Sequence, residues 1–153
     1  GLKKQALAKN ASQLALTAKY ARLKAVETQR KASIVIDPVE GTFYLYAFQL
    51  DQDGQFYQSV ITNAYSRPVK LPDGIEFGQL LFSSLGDEFE EQRMDQQMIN
   101  FYPDGSCDSA VVQLCGNDKI LNIVFEPPIG RARVYDKPLE MLNQTCAVDL
   151  DLQ

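Results

Sequence analysis

Residues 20–37 read YARLKAVETQRKASIVID, and the spacing of the apolar side chains changes within this stretch. Before Lys31, apolar residues recur every three or four positions, which is the spacing of one face of an α-helix. After Lys31, the β-branched run at 32–37, closed by Pro38, is typical of a strand. The stretch therefore predicts that a helix ends and a β-rich region begins near residue 31.

The predicted helix is long, because residues 2–30 contain neither proline nor glycine and are rich in good helix formers. Near the start of the helix, lysines interrupt its apolar face, whereas near the end Tyr20, Leu23 and Val26 widen that face. We therefore expect the second half to dock on the rest of the chain and the first half to project. A bundle or coiled coil is the alternative. One apolar stripe follows helical steps of four and three: Leu7, Ala11, Leu14, Ala18, Ala21 and Ala25.

Beyond residue 31, strand-like segments alternate with turn signals, and there is no second long helical pattern. One helix followed by short, hairpin-linked strands predicts an α+β fold with an antiparallel sheet. We divide the chain into a helical stem, residues 1–31, and a β-rich head, residues 32–153, which together form one domain. The predicted strands are 32–37, 42–50, 55–62, 74–82, 97–102, 109–115, 120–125 and 131–135.

The charge of the chain is unevenly distributed. Residues 1–31 hold eight Lys or Arg against the single acid Glu27, a net charge of +7, whereas residues 32–153 carry −12. A basic stem thus carries an acidic head. The sequence contains no signal peptide and no apolar run long enough to span a bilayer. Because Gly1 leads directly into helix-forming sequence, we expect an upstream targeting or membrane segment in the natural protein.

The residue types argue against catalysis. The chain has no histidine, which excludes Ser-His-Asp and Cys-His systems and His-ligated zinc. It also lacks CxxC pairs and the glycine spacings of phosphate-binding loops. Asp51, Asp53 and Gly54 do not match the spacing of a calcium-binding loop and favour a hairpin turn. We therefore expect no enzyme activity, no metal site and no cofactor.

Two segments still concentrate polar groups. In residues 101–114, FYPDGSCDSAVVQL, the triplet Pro103, Asp104 and Gly105 suits successive positions of a β-turn, so we interpret this segment as a bend between strands. The second segment, residues 86–95, is acidic, and we interpret it as a solvated loop or as a loop that binds a partner. Its candidate residues are Asp87, Glu88, Glu90, Glu91 and Asp95.

Three cysteines leave the redox state open. Cys107 and Cys115 are eight residues apart, which is roughly 26 Å in extended chain and far beyond the Cα separation of a disulfide. Any bridge should therefore involve Cys146, and three unpaired thiols are the alternative.

Four short motifs, in this order, carry a resemblance to a known family. They are Ala21-Arg22-x-x-Ala25-Val26 on the helix, Leu71-Pro72-x-Gly74, Phe101-x-Pro103-Asp104-Gly105 and Gly130-Arg131-x-x-Val134. With them, residues 10–136 resemble the H-type minor pseudopilins of type II secretion and their FimT-like relatives among type IV pilin proteins. Two features depart from the family pattern. The N-terminal Phe-Thr-Leu-x-Glu junction is absent, and the acidic loop and the cysteines are additions.

The resemblance implies a pilin-like fold, with the long helix packed on the head, and a non-enzymatic structural subunit of a secretion or pilus-like filament. Such a subunit is anchored in the inner membrane by an upstream helix, faces the periplasm and contacts other pseudopilin or pilin subunits. No nucleic acid and no small-molecule substrate is expected. Assembly with other subunits is assigned to Leu2, Leu7, Ala11 and Leu14. Packing on the head is assigned to Ala18, Ala21, Ala25 and Val26. The alternative is that the whole stripe is core within one chain.

Two other functions stay open. A FimT-like pilin that takes up DNA would need an accessible basic head or tail. Arg131 and Arg133 share a strand face, but the tail is acidic. A secreted ligand-binding β module would expose aromatic side chains, although alternating aromatics in strands are more often core. The candidates for such an exposed strip are Tyr44, Tyr46, Phe48, Phe56 and Tyr57.

Overall fold

The computed structural model describes residues 2–63, 66–83, 97–116 and 118–136, which contain one α-helix and nine β-strands. The helix α1 spans Leu2–Thr28. The strands are β1 (Ala32–Asp37), β2 (Thr42–Leu50), β3 (Phe56–Val60), β4 (Val69–Lys70), β5 (Ile75–Ser83), β6 (Gln97–Phe101), β7 (Ser109–Gly116), β8 (Lys119–Glu126) and β9 (Arg131–Tyr135). The prediction of one long N-terminal helix followed by strands is confirmed.

The helix ends where the change in apolar spacing indicates. Gln29 adopts a left-handed conformation, with a φ of 54°, and its side-chain amide donates a hydrogen bond of 2.8 Å to the carbonyl of Val26. A left-handed residue just past the last helical turn is a common way to stop a helix. The chain therefore leaves α1 at Thr28 and enters β1 four residues later.

The described strands form two antiparallel sheets rather than the one expected from the sequence. Sheet 1 has the order β3-β2-β1-β6, with the two-residue β4 also paired to β2, and sheet 2 has the order β5-β7-β8-β9. Of the seven pairs among the described strands, four join strands consecutive in the chain, whereas β2–β4, β1–β6 and β5–β7 join strands that are farther apart. Local sequence patterns do not encode such long-range pairings, which explains why the second sheet was not predicted.

One hydrophobic core lies between α1 and the two sheets. It contains side chains from the whole described length of the helix and from both sheets, so stem and head share it. Phe101 of sheet 1 meets Phe125 of sheet 2 edge to face, with ring centroids 6.3 Å apart. The largest fully buried side chains are Phe43, Phe101, Phe125, Leu7, Leu14, Ile34, Ile36, Leu45, Ile61, Ile99, Leu114 and Ile123.

Candidate assembly surface

The inward face of α1 is the apolar stripe predicted from the sequence, and it is buried along all of its described length. Ala18, Ala21 and Ala25 have no exposed surface and lie in the core, where the head-packing assignment places them. The alanines allow the helix backbone to approach the sheets closely, because a methyl group adds little width.

The assignment of Leu7, Ala11 and Leu14 to contacts with other subunits is wrong. These side chains are at most 1% exposed and belong to the core of this chain, so another subunit cannot reach them. The physical reason is that sheet 2 extends beside the start of the helix, where Leu7 shares the lining of a groove with residues of β8 and β9. The expectation that the first half of the helix projects is therefore also wrong from Leu7 onward. The side chain of Leu2 lies outside what the structure describes.

The outward face of α1 carries the exposed hydrophobic side chains instead. Leu16 is 45% exposed, Leu23 is 49% exposed and Val26 is 41% exposed. Val26, one position and about 100° round the helix from the buried Ala25, is not among the side chains that pack on the core, which differs from its assignment. With the exposed Lys19, these residues follow steps of three and four, which is the spacing of a second helical contact face. We call Leu16, Lys19, Leu23 and Val26 the outward face.

Two grooves flank the outward face, and both have basic walls. A groove of about 470 Å³ lies between the helix and the segment 129–132. A second, of about 450 Å³, lies between the helix and the segment 67–72. Among the described residues, no Asp or Glu lines either groove, and the cationic side chains are Lys19, Arg22 and Arg131 in the first and Lys9, Arg67 and Lys70 in the second. The outward face is therefore an apolar strip with positive borders.

The end of α1 is held by two turns of the head. Arg22 donates from its Nε to the carbonyl oxygen of Gly105 at 3.2 Å, and Gln29 donates from its side chain to the carbonyl of Pro103 at 3.4 Å. Gly130 packs so closely on this turn that a Cβ added to it would lie 2.0 Å from the Gly105 oxygen. Gly105 and Gly130, both with positive φ, thus fix the orientation of the outward face relative to the head.

The segment 101–114 is a bend between strands, as predicted. The Gly105 amide donates to the carbonyl of Tyr102 at 2.8 Å, and Gly105 has a φ of 91°. The hydroxyl of Ser106 donates to the Asp104 carboxylate at 2.6 Å, and this bond is the main cause that lowers the pKa of Asp104. Each of these contacts completes the turn, so the residues serve local structure.

Asp108, which follows this turn, is a buried carboxylate with three polar contacts. It accepts hydrogen bonds from the Tyr102 hydroxyl at 2.6 Å and from the Asn100 amide at 2.9 Å, while its own amide donates to the Asn100 carbonyl at 2.9 Å. Burial, followed by the bond and the charge of Asp108, raises the pKa of Tyr102 above its ordinary value. The carboxylate therefore closes the edge of β6, a role that the sequence did not indicate.

Cys107 and Cys115 are free thiols, which agrees with the prediction that they do not pair with each other. Cys107 is buried, and its Sγ lies 3.6 Å from the carbonyl oxygen of Glu126. Burial first, and then the charges of Asp108 and Glu126, raises the pKa of Cys107 to about 12. Cys146 lies outside the described residues, so the state of its sulfur stays a prediction.

We expect Cys107 to react with a thiol reagent at pH 8 about a thousandfold more slowly in the folded protein than an ordinary cysteine, because only the thiolate reacts. The rate is measured with dithionitrobenzoate in a Cys115→Ser/Cys146→Ser variant, with the urea-unfolded variant as the control. Folded and unfolded rates within about tenfold of each other would contradict the assignment of Cys107 as a buried thiol with a raised pKa.

The raised pKa of Cys107 also makes the free energy of unfolding depend on pH. Its stabilising contribution is complete below pH about 8.5 and is lost as the pH rises toward 12.

The aromatic strip divides between the two faces of sheet 1. Tyr44, Tyr46 and Phe48 alternate with the buried Phe43, Leu45 and Ala47, so they lie on the face turned away from the core. Phe56 is 38% exposed and meets Phe48 edge to face at 6.4 Å, and the guanidinium of Arg30 lies 4.0 Å from the centre of its ring. Tyr57 lies on the opposite side of its strand from Phe56. The expectation that these aromatics belong to the core is therefore wrong for all five, because Tyr57 is also exposed, at 45%.

Arg131 and Arg133 lie on β9, as the sequence predicted. Both donate from Nε to the same carboxylate oxygen of Glu126, at 3.3 Å and 3.1 Å. A phosphate group would have to compete with this carboxylate for both side chains. The pair is therefore a weaker basic site than its spacing indicates.

The remaining candidate residues lie outside the described part of the chain. They are the acidic residues Asp87, Glu88, Glu90, Glu91 and Asp95, so a partner loop there stays a prediction. Within the described ranges, no three His, Cys, Asp or Glu side chains come close enough together to hold a metal ion. In the same ranges, no helix combines the length and the apolar character needed to cross a membrane.

Comparisons with known proteins identify the fold. No protein-family model matches the chain, and no curated protein matches its sequence. A solved structure of the minor pseudopilin EpsH from the type II secretion system of Vibrio cholerae is similar, with a TM-score of 0.62, 12% identity, and coverage of 90% of this chain and 100% of that one. Another EpsH structure gives a TM-score of 0.56, 12% identity, and coverage of 83% and 94%. The predicted fold, an N-terminal helix packed on antiparallel β-structure as in pseudopilins, is confirmed.

Proposed function

We propose that this chain is a non-enzymatic structural subunit of a type II secretion or type IV pilus-like filament, and that it assembles through the outward face of α1. The likeness of its fold to a minor pseudopilin supports the class of protein. The absence of histidine from the whole sequence supports a role without acid-base or nucleophilic catalysis of the common kinds.

The division of α1 into two faces is the observation that carries this proposal. The inward face packs the helix on both sheets with small and medium side chains, and the core leaves none of that face for a partner. The outward face nevertheless exposes two leucines and a valine by 41–49%. Large apolar side chains repeated along one exposed helix face are typical of a protein contact. A neighbouring helix that packs on Leu16, Leu23 and Val26 would bury them.

Electrostatics favour the same contact. The stem carries +7 and the rest of the chain −12, and the grooves beside the outward face are lined by basic side chains, of which Arg131 is already paired with Glu126. An acidic head of a neighbouring subunit would be attracted to these borders, and salt would weaken the attraction. In this arrangement the apolar strip supplies most of the binding free energy, and the charges orient the partner.

The proposal includes a membrane anchor and a location. An apolar segment that precedes α1 would hold the full-length protein in a bacterial inner membrane, with the head in the periplasm. The part of the natural open reading frame that encodes the residues before α1 tests the membrane anchor directly. We expect it to encode a basic leader, a Phe-Thr-Leu-x-Glu junction and an apolar run that continues into α1. The start of a cytosolic protein in that place would contradict the anchor.

We expect the double variant Leu16→Gln/Leu23→Gln to reduce incorporation into the filament by more than about tenfold, because the apolar contact would have to bury two amides. Glutamine keeps the helix propensity close to that of leucine, so the melting temperature should change little. The measurement compares the amount of each full-length variant in purified filaments.

The matched control is Val39→Gln. Val39 is the most exposed of the large hydrophobic residues described, at 76%, and it lies in the turn between β1 and β2 rather than on the helix. Its variant should assemble normally. Equal incorporation of the double variant and the control would contradict assembly through the outward face.

A second candidate function, a secreted ligand-binding module, is favoured by the outer face of sheet 1. Tyr44, Tyr46, Phe48 and Phe56 all lie on that face. Under this function, Phe48→Ser should abolish ligand binding, while Leu16→Gln should not affect it. The DNA-uptake alternative has less support, because Arg131 and Arg133 are already paired with Glu126.

A further inference from the structure

The edges of the two sheets are not equally protected against pairing with another strand. An open edge presents unpaired backbone N–H and C=O groups, and proteins usually block it with charged side chains, irregularities or covering segments. In sheet 2, the edge strand β9 carries Arg131 and Arg133, and the other edge strand, β5, has a register irregularity between Phe77 and Leu80. Both edges of this sheet are therefore protected.

In sheet 1, the edge strand β6 is protected as well. Asp108 occupies both backbone groups of Asn100, because its carboxylate accepts from the amide and its amide donates to the carbonyl. Within the part of the chain that the structure describes, the opposite edge strand, β3, pairs only with β2 and has no register irregularity, and the charged group beside it is the guanidinium of Arg30 over the Phe56 ring. Its surroundings, residues 55–63, read QFYQSVITN and contain no charged residue and no proline.

The backbone of β3 alternates in direction along the edge. The Ile61 amide bonds the Leu45 carbonyl at 2.8 Å, and the Asp51 amide bonds the Gln55 carbonyl at 2.9 Å, so the odd-numbered residues of this segment face β2. In an antiparallel ladder the residues between them point their N–H and C=O groups the other way. Phe56, Gln58 and Val60 therefore direct their backbone groups outward.

We infer that β3 is the pairing edge for β3 of a second copy of this chain. The two strands run antiparallel about a two-fold axis at Gln58, so that Phe56 of one copy lies opposite Val60 of the other. This register forms six backbone hydrogen bonds, two from each opposed pair. The inference does not depend on the proposed function, because it uses a different surface from the outward face of α1.

The side chains that self-pairing would bring together favour a second copy as the occupant. With the two-fold axis at Gln58, the three outward-facing residues of one copy meet the same three of the other, and none of them is charged. Phe56 and Val60, each 38% exposed, lie on the same face of the sheet, so the two-fold axis places apolar side chains opposite each other. The head as a whole is acidic, but no charged residue within 55–63 is placed opposite another, and Arg30, which lies over the Phe56 ring, is a cation beside the edge.

The size of the contact sets its strength. At about one hydrogen bond per 100–200 Å², six bonds correspond to roughly 600–1,200 Å² of buried surface. This area lies at the low end for specific interfaces, so the dimer should be reversible and form in the high micromolar range or above. A higher local concentration would favour it.

Sedimentation velocity over a concentration series tests the inference. The 153-residue chain should shift from monomer to dimer, and Gln58→Pro should weaken the dimer by about tenfold or more, because it removes one outward N–H from each copy. Gln58→Thr is the matched control, since threonine suits a strand and keeps the N–H. Circular dichroism and the melting temperature report whether each variant keeps its fold.

A second variant gives an independent readout. Gln58→Lys places two ammonium groups opposite each other at the axis, so its dimer should be weak at low salt and partly restored at high salt. Leu16→Gln/Leu23→Gln should leave the dimer unchanged. A chain that stays monomeric at all concentrations, or a dimer insensitive to both changes at Gln58, would overturn the inference. A neutral peptide of unrelated sequence that competes as well as a peptide of residues 55–63 would also overturn it.

Discussion

Replacing Leu14 by alanine is expected to lower the free energy of unfolding by about 2–5 kcal/mol. Leu14 has no exposed surface and lies in the core shared by the helix and both sheets, so its removal leaves a cavity that helix and sheets cannot easily close. The change is measured by urea unfolding followed by circular dichroism, with wild-type protein in parallel.

The control for this prediction is Leu16→Ala, which is the same substitution two residues along the same helix. Leu16 is 45% exposed on the outward face, so its variant should lose less than about 1 kcal/mol. The pair separates the two roles of the helix, because Leu14 stabilises one chain and Leu16 is free to contact another. Equal losses for the two variants would mean that the faces of α1 are assigned wrongly.

Replacing Gly130 by alanine is expected to destabilise the protein by about 3 kcal/mol or more, through two separate costs. Gly130 has a φ of 60°, which an L-residue adopts only at a cost of about 1–2 kcal/mol. Its new Cβ would also lie 2.0 Å from the carbonyl oxygen of Gly105, so one of the two turns would have to move. The loss is measured by thermal and urea unfolding.

Gly54→Ala isolates the cost of the left-handed backbone conformation from the cost of the steric clash. Gly54 has a φ of 81°, but a Cβ added there would meet no atom within 4 Å. This variant should therefore lose only about 1–2 kcal/mol, the cost of the backbone conformation alone. If Gly130→Ala were no worse than Gly54→Ala, the close contact between the two turns that hold the end of α1 would not exist in solution.

Much of the fold follows from local sequence patterns. The change in apolar spacing after Lys31 indicates the helix and the first strand, and the turn residues separate the strands to within one or two residues. The two-residue strand β4 escapes prediction because it is too short to show a period and lies between Pro68 and Pro72. The division into two sheets also escapes, because it depends on β1 pairing with β6 and β5 with β7 across long stretches of chain.

The candidate site was harder to predict than the fold, because both faces of the relevant elements are apolar. On α1, the sequence shows which residues form the stripe, but not that sheet 2 covers the stripe as far as Leu7. On β2, Phe43 and Leu45 alternate with Tyr44 and Tyr46, so a period of two cannot say which set faces the core. The packing of the elements in three dimensions determines both how far the stripe of α1 is covered and which side chains of β2 face the core.

The two faces of α1 together connect the fold to the proposed function. Alanines on the inward face let the helix lie close to the sheets, and the turns at Gly105 and Gly130 hold its end through Arg22. The larger side chains Leu16 and Leu23 are thereby presented outward on a rigid support. A rigid, preformed contact face limits the entropy that a subunit loses when it joins an assembly.

Photo-cross-linking from the outward face tests the central claim most directly. Benzoylphenylalanine is placed at position 16 of the full-length protein in its native host and, as a control, at the exposed position 39 in the turn of the head. The proposal predicts an adduct from position 16 whose partner is a pilin-like subunit by mass spectrometry, and no such adduct from position 39. An absence of pilin-like partners at position 16, or equal yields from both positions, would contradict assembly through this face.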